Sequence, residues 1–263
     1  MDENEHAKLL AAAKHKNDMS MVEQKEIFKR LKGKNLRDKE AAHGGIVDKI
    51  NSMSCNTYQS LLKALWTTSC STLETIFHLA DEKVEITPLI LARSVVETSS
   101  TALWLCTLMP LEEAAYRTME TVYVDLDRTK KAYDALSGPR SRSSFDDLMA
   151  MLKEAKGQLQ VHQGKNFASR LQYCKIVQQA DEVFLGRGGK RQFGSGEAAW
   201  RICSGVTHAA DLDLGSTPRS LDGDGIGGLM SAPRVSSLAL FLSPATENLE
   251  MFADIYLDQC GEC

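Results

Sequence analysis

Residues 88–109 read PLILARSVVETSSTALWLCTLM, and only Arg93 and Glu97 in these 22 residues are charged. The two lie one helical turn apart, so both project from the same face of a helix. Everything around them is apolar or small, which predicts a helix inside a core. Ionised groups in such a place are costly unless they are paired or used. Two readings follow: a buried ion pair that fixes helix packing, or a pair that lines an active or binding pocket.

Outward from this stretch the helical period persists. Ser54 is placed to cap a helix running to Ala80, with Leu61, Leu62, Leu65, Trp66, Leu73, Ile76 and Phe77 facing inward. Pro88 sits in a first turn, where a missing N–H costs nothing. Pro110 ends the central helix, and another is expected over about 111–136 before the breaker Ser137-Gly138-Pro139. Ser144-x-x-Asp147 opens a helix to about Gln160, and a further one is expected over 166–184. The glycine-rich basic loop GRGGKRQFGSG at 186–196 feeds a short helix over 196–210 that Ser195 can cap. After a long loop at 211–232, a last helix over 234–258 contains Pro244, which should kink or break it. Six prolines and few alternating β-branched runs leave little room for a sheet. The expected fold is an all-α helical bundle.

Residues 1–40 differ from the rest. Nearly half of them are charged, and Ser20-x-x-Glu23 is a capping-box pattern. Residues 1–50 are therefore expected to form an exposed charged helical arm, suited to oligomer contacts or a protein partner. The bundle is expected over 51–263. At 43% hydrophobic and 25% charged residues the composition is that of an ordinary soluble protein. The net charge of -4 and pI near 5.9 argue against a protein coated in nucleic acid, though not against a local basic patch. No apolar run is long enough for a membrane span, and the acidic N-terminus is unlike a signal peptide. Seven scattered cysteines fit a reducing cytoplasm. Cys260-x-x-Cys263 has no second ligand pair to complete a zinc site.

The segment GEAAWRICSGVTHAA, 196–210, places Arg201 and His208 nearly two turns apart on one face, roughly 10 Å along the axis. Ser204 and Gly205 lie between them, and their small size lets a ligand or helix approach. Arginine offers a charged fork for phosphate, and histidine exchanges protons near neutral pH. Arg187, Lys190 and Arg191 in the preceding loop form a basic cluster at a helix N-terminus, a place suited to anions. That loop is not a Walker A sequence, since no Ser or Thr follows Lys190. A second match to Arg-x(4–6)-His, Arg37 with His43, lies in the charged segment, where solvation is the natural reading.

Arg-x(4–6)-His on a late helix of a bundle resembles the HEPN superfamily. Arg93-Ser94-x-x-Glu97 together with Ser204-x-x-x-His208 is also similar to uncharacterised bacterial helical families carrying those two signatures. The likeness covers roughly 55–258 as helix order. It implies a metal-independent endoribonuclease of a bacterial toxin–antitoxin or phage-defence system, acting on RNA at a composite cleft of a homodimer. On that resemblance His208 is the general base or acid, Arg201 holds the scissile phosphate, and Glu97 orients one of them. Arg93, Ser204, Arg187, Lys190 and Arg191 would bind substrate. One position differs: active members usually carry Asn, Asp or His after the arginine, where this chain has Ile202. The alternative is a non-catalytic helical module that binds a protein partner or nucleotide and regulates another component.

Other motifs lead nowhere. LDGDGIGG at 221–228 lacks a calcium loop's ligands at Ile226 and Pro233. His208-x-x-Asp211 supplies two ligands, too few for a metal site. No Gly-x-Ser-x-Gly, Cys/His nucleophile pair or dinucleotide fingerprint occurs, so no cofactor and no metal is expected.

Overall fold

The computed structural model describes residues 21–34, 45–82, 87–137, 144–191, 194–208 and 238–261. The side chains of Val206, Thr207 and His208 lie outside that set, as do Arg37, His43, Cys263 and the segments 211–232 and 221–228. The described residues form helices and connecting turns, with no strand among them. In chain order these are α1 (21–33), α2 (Ile46–Met53), α3 (Tyr58–Asp81), α4 (Thr87–Thr107), α5 (Leu111–Ser137), α6 (Ser144–Gln158), α7 (Tyr173–Gly186), α8 (Gly196–His208) and α9 (Leu238–Gly261). The all-α bundle read from the sequence is what forms. Among the described residues no helix is long and apolar enough to cross a membrane.

α4 is the axle of the bundle and packs against α3, α7, α8 and α9. Its residues are buried nearly all round, from Leu89 and Ala92 through Val95, Val96 and the run at 99–106. A helix covered on every side needs no polar stripe, which is why so few charges occur in its sequence. The small residues Ser99, Ser100 and Ala102 leave room for neighbouring backbones, and Ser100 Oγ accepts a bond from Asn248 Nδ2 of α9 at 3.1 Å. α4 also bridges two apolar clusters. Its C-terminal half joins α2, α5, α6 and Phe252 and Tyr256 of α9. Its N-terminal half joins α1, the end of α3 and Leu238, Leu242 and Leu249 of α9.

Local signals explain most helix ends. α3 begins at Tyr58 with Thr57 at its N-cap rather than Ser54; Ser54 ends α2 instead, and its Oγ accepts the backbone N–H of Tyr58 at 3.2 Å. α7 begins at Tyr173, later than the 166 expected; residues 159–172 are held instead by acids of α5. Gln160 and Val161 donate their N–H groups to Glu112, and Ala168 donates to Glu120. α9 continues through Pro244 without a break. The carbonyl that proline leaves without its helical donor is that of Leu240, an exposed residue, so water can replace the bond.

The boundary expected at 50/51 does not separate two packing units among the described residues. α1 is charged on its outer face, where Lys25, Lys32 and Lys34 pair with Asp81, Glu74 and Asp254. Its other face buries Ile27, Phe28 and Leu31 in the same cluster as Leu73 and Leu89. α2 likewise buries Val47 and Ile50. The high charge of the segment hid this short apolar stripe. Leu31→Ala should therefore cost about 2–5 kcal/mol of global stability, as for other buried leucines. Urea unfolding should show a lower midpoint at unchanged slope; an unchanged midpoint would mean that α1 is detached in solution.

Candidate functional site

The central pair on α4 forms as its spacing predicts. Arg93 Nε donates to Glu97 Oε1 at 2.9 Å, and the two side chains are only 20% and 18% exposed. α8 supplies a third member that the sequence reading missed. Trp200 Nε1 donates to the same Glu97 oxygen at 2.8 Å, and the Arg93 guanidinium lies 5.6 Å from the Trp200 ring centroid. Indole is a donor without acceptors, so a half-buried tryptophan needs such a partner. Cys203, one turn on, is buried behind this group. Burial pushes its thiol up to about 12, with the Arg93 charge opposing. Tyr173 at the start of α7 lies close enough for Glu97 to act on it: its phenol is raised, first by burial and then by that carboxylate.

Arg201 is not part of this group. It follows Trp200 in α8 and so points about 100° away around the helix. Its side chain is 60% exposed and bonded to Glu197 at 2.7 Å, with a longer contact from Nη2 to Cys174 Sγ at 3.5 Å. Glu97 and Arg201, expected to cooperate, are thus engaged by different partners. Ser204 is half-buried, Gly205 is exposed and Ile202 is 41% exposed, all on α8. His208 is the last residue of α8, and its side chain lies outside the described residues.

The glycine-rich loop has a structural explanation. Gly188 takes φ +83°, and the N–H groups of Gly188 and Gly189 donate to the carbonyls of Leu185 and Phe184 at 3.0 Å each. This is a Schellman ending of α7, with Arg187 as the C-cap. A Cβ at Gly189 would come within 2.5 Å of the Phe184 ring, so that glycine is sterically required. Arg187 and Lys190 are exposed. Arg191 is not: its side chain is 7% exposed, and its guanidinium lies 3.9 Å from the Phe184 ring centroid. It donates to Asp181 at 2.6 Å, Asn248 at 2.7 Å, Glu247 at 3.0 Å and the Pro244 carbonyl at 3.1 Å.

The start of α8, expected to attract an anion, is already filled by the protein's own groups. Asp181 accepts the N–H groups of Gly196 and Glu197 at 3.0 Å, and Ser195 Oγ accepts that of Ala198 at 3.1 Å. Asp181 comes from α7, so no local sequence pattern reveals it. The basic cluster therefore divides: Arg187 and Lys190 face solvent, while Arg191 is an internal clasp.

Among the described residues no group of three or more His, Cys, Asp or Glu side chains is arranged to hold a metal ion. No protein-family model, curated protein or solved structure matches the chain.

Two substitutions test this arrangement. Arg191→Ala leaves Asp181 and Glu247 buried without their cation and should cost roughly 3–5 kcal/mol. A loss below about 1 kcal/mol in urea unfolding would place the arginine outside in solution. Trp200→Phe keeps the ring but removes the donor to Glu97, and should cost about 1.5–3 kcal/mol, as for bonds to charged groups.

Proposed function

We propose that this chain is a non-catalytic helical module that binds a partner or nucleotide, rather than an RNA-cleaving enzyme. The observation that carries this reading is the closed state of Glu97. Its Oε1 already receives Arg93 and Trp200 in a largely buried contact, so it is spent on packing α8 against α4. Two donors on one oxygen make this carboxylate part of the packing between α4 and α8. Ile202, standing where HEPN nucleases usually place a polar residue, points in the same direction. Cys55, Cys70, Cys106 and Cys174 are thiols outside any disulfide, which supports a reducing compartment such as the cytoplasm.

The HEPN-type reading keeps one supporting observation: Arg201 is exposed on the helix that ends at His208, bonded only at its edge to Glu197 and Cys174. A second protomer could bring an equivalent helix against that face, as the HEPN resemblance implies. One assay separates the two readings. Wild type and His208→Ala are incubated with a mixed RNA pool in EDTA. The binding-module reading expects identical, intact RNA profiles from both. EDTA-resistant cleavage by wild type that disappears in the variant, with a 2′,3′-cyclic phosphate end, would overturn it in favour of the ribonuclease.

A further inference from the structure

A cavity of about 280 Å³ opens where α4, α5, α7 and the segment before α7 meet. Its charged lining is Arg117, Arg170 and Lys175 against a single carboxylate, Glu120. Trp104, Leu171 and Ile176 give it an apolar side. Several cations of this acidic chain are matched by carboxylates: Lys25 by Asp81, Lys32 by Glu74, Arg93 by Glu97, Arg191 by Asp181. Arg170 and Lys175 have no hydrogen bond or ion pair among the described residues, yet they line the same cavity.

The remaining charges there are fixed rather than free. Arg117 donates Nε to Glu113 at 2.7 Å and Nη1 to Glu120 at 2.8 Å. Glu120 also accepts Tyr116 Oη at 3.2 Å and the Ala168 N–H at 3.1 Å. His162 is hydrogen-bonded to Glu113 at 2.8 Å, which ties down the segment leading to Arg170. The wall is thus pre-organised before any ligand arrives, which lowers the cost of binding. α7 adds to the field. Its N-cap Gln172 makes no side-chain cap bond and its first turn has no acid, whereas α8 is fully capped by Asp181 and Ser195.

We propose that this cavity binds a small organic phosphate, a phosphomonoester. With Arg117 held between Glu113 and Glu120, Arg170 and Lys175 are the two cations of this lining that no carboxylate of the described residues engages, and a phosphate dianion pairs with both. Arg170 offers a planar donor fork and Lys175 a point charge, the two modes by which proteins hold phosphate. At roughly 30 Å³ per water the cavity holds about nine waters. A bare phosphate leaves much of that space unfilled, so the ligand carries an organic part that rests on Trp104, Leu171 and Ile176. This deepens the binding-module reading by naming a ligand class. The RNA assay reports on α8 and the test below on this cavity, so the two readings fail separately.

The test is calorimetric titration of the full chain with adenosine 5′-monophosphate, ribose 5-phosphate, inorganic phosphate and adenosine. At least one of the two organic phosphates should bind at least tenfold more tightly than inorganic phosphate, and adenosine should not bind measurably. Arg170→Gln/Lys175→Gln should weaken that binding tenfold or more. Its thermal midpoint should be no lower than the wild-type value, since both side chains are exposed and uncommitted among the described residues. Lys49→Gln, which removes an exposed cation of α2 away from this lining, should leave affinity unchanged. Absence of binding by both organic phosphates at millimolar concentration would overturn the assignment. So would equal binding by wild type and the double variant, or binding of an RNA strand at these residues that neither organic phosphate displaces.

Discussion

The two carboxylate oxygens of Asp181 hold the later half of the fold together. One receives Arg191 and the Gly196 N–H, the other the Glu197 N–H. Through Arg191 the same network reaches Glu247 and Asn248 on α9, and Asn248 in turn bonds Ser100 on α4. A single buried acid thus links α7, the loop, α8, α9 and the central helix. Its geometry excludes alternatives: a Cβ at Gly196 would lie 2.9 Å from Asp181 Oδ1. Removal of any member leaves another charge inside without compensation, which is far more costly than never having buried it.

How much of this the sequence revealed depends on how far apart the partners are. α4 was legible because its information is local: two charges one turn apart in an otherwise apolar run. The cap at Ser195 was legible for the same reason. The clasp was not, since Asp181 lies 10 residues and Glu247 56 residues from Arg191, spacings that match no helical period, and each alone looks like a surface charge. The glycine-rich loop misled in a related way. Glycines next to lysine and arginine suggest an anion loop, but Gly188 supplies a left-handed ending for α7 and Gly189 makes room for Phe184. The pattern Phe184-x-x-x-Gly188 carried that message, and the positive charges drowned it. Glu97's engagement by Trp200 was equally hidden, because no spacing rule links residues 103 positions apart.

Charge is distributed with purpose along α7. Its C-terminal end carries Arg187, a cation at the negative pole of the helix, where it is favourable. Its N-terminal end carries Lys175, a cation at the positive pole, where it is not. Acids of α5 lie nearby, but Glu113 and Glu120 are directed at Arg117, and Glu112 at the backbone of Gln160 and Val161. The unfavourable placement of Lys175 therefore goes uncompensated among the described residues. An unbalanced cluster of this kind weakens a fold slightly and gains value only when an anion is present.

The Arg93–Glu97 pair has a role that its energy alone does not explain. Half-buried ion pairs are often no more stabilising than apolar residues of the same volume. What this pair does is fix the rotation of α8. Trp200 must face Glu97 to satisfy its indole N–H, and that leaves Arg201 on the outside with Glu197. A turn of about 100° in the other sense would bring the Arg201 guanidinium against Arg93 and leave the Trp200 donor in need of a new partner. Like charges in a poorly hydrated contact are strongly unfavourable. The observed rotation of α8 satisfies the Trp200 donor and presents Arg201 and Gly205 to solvent.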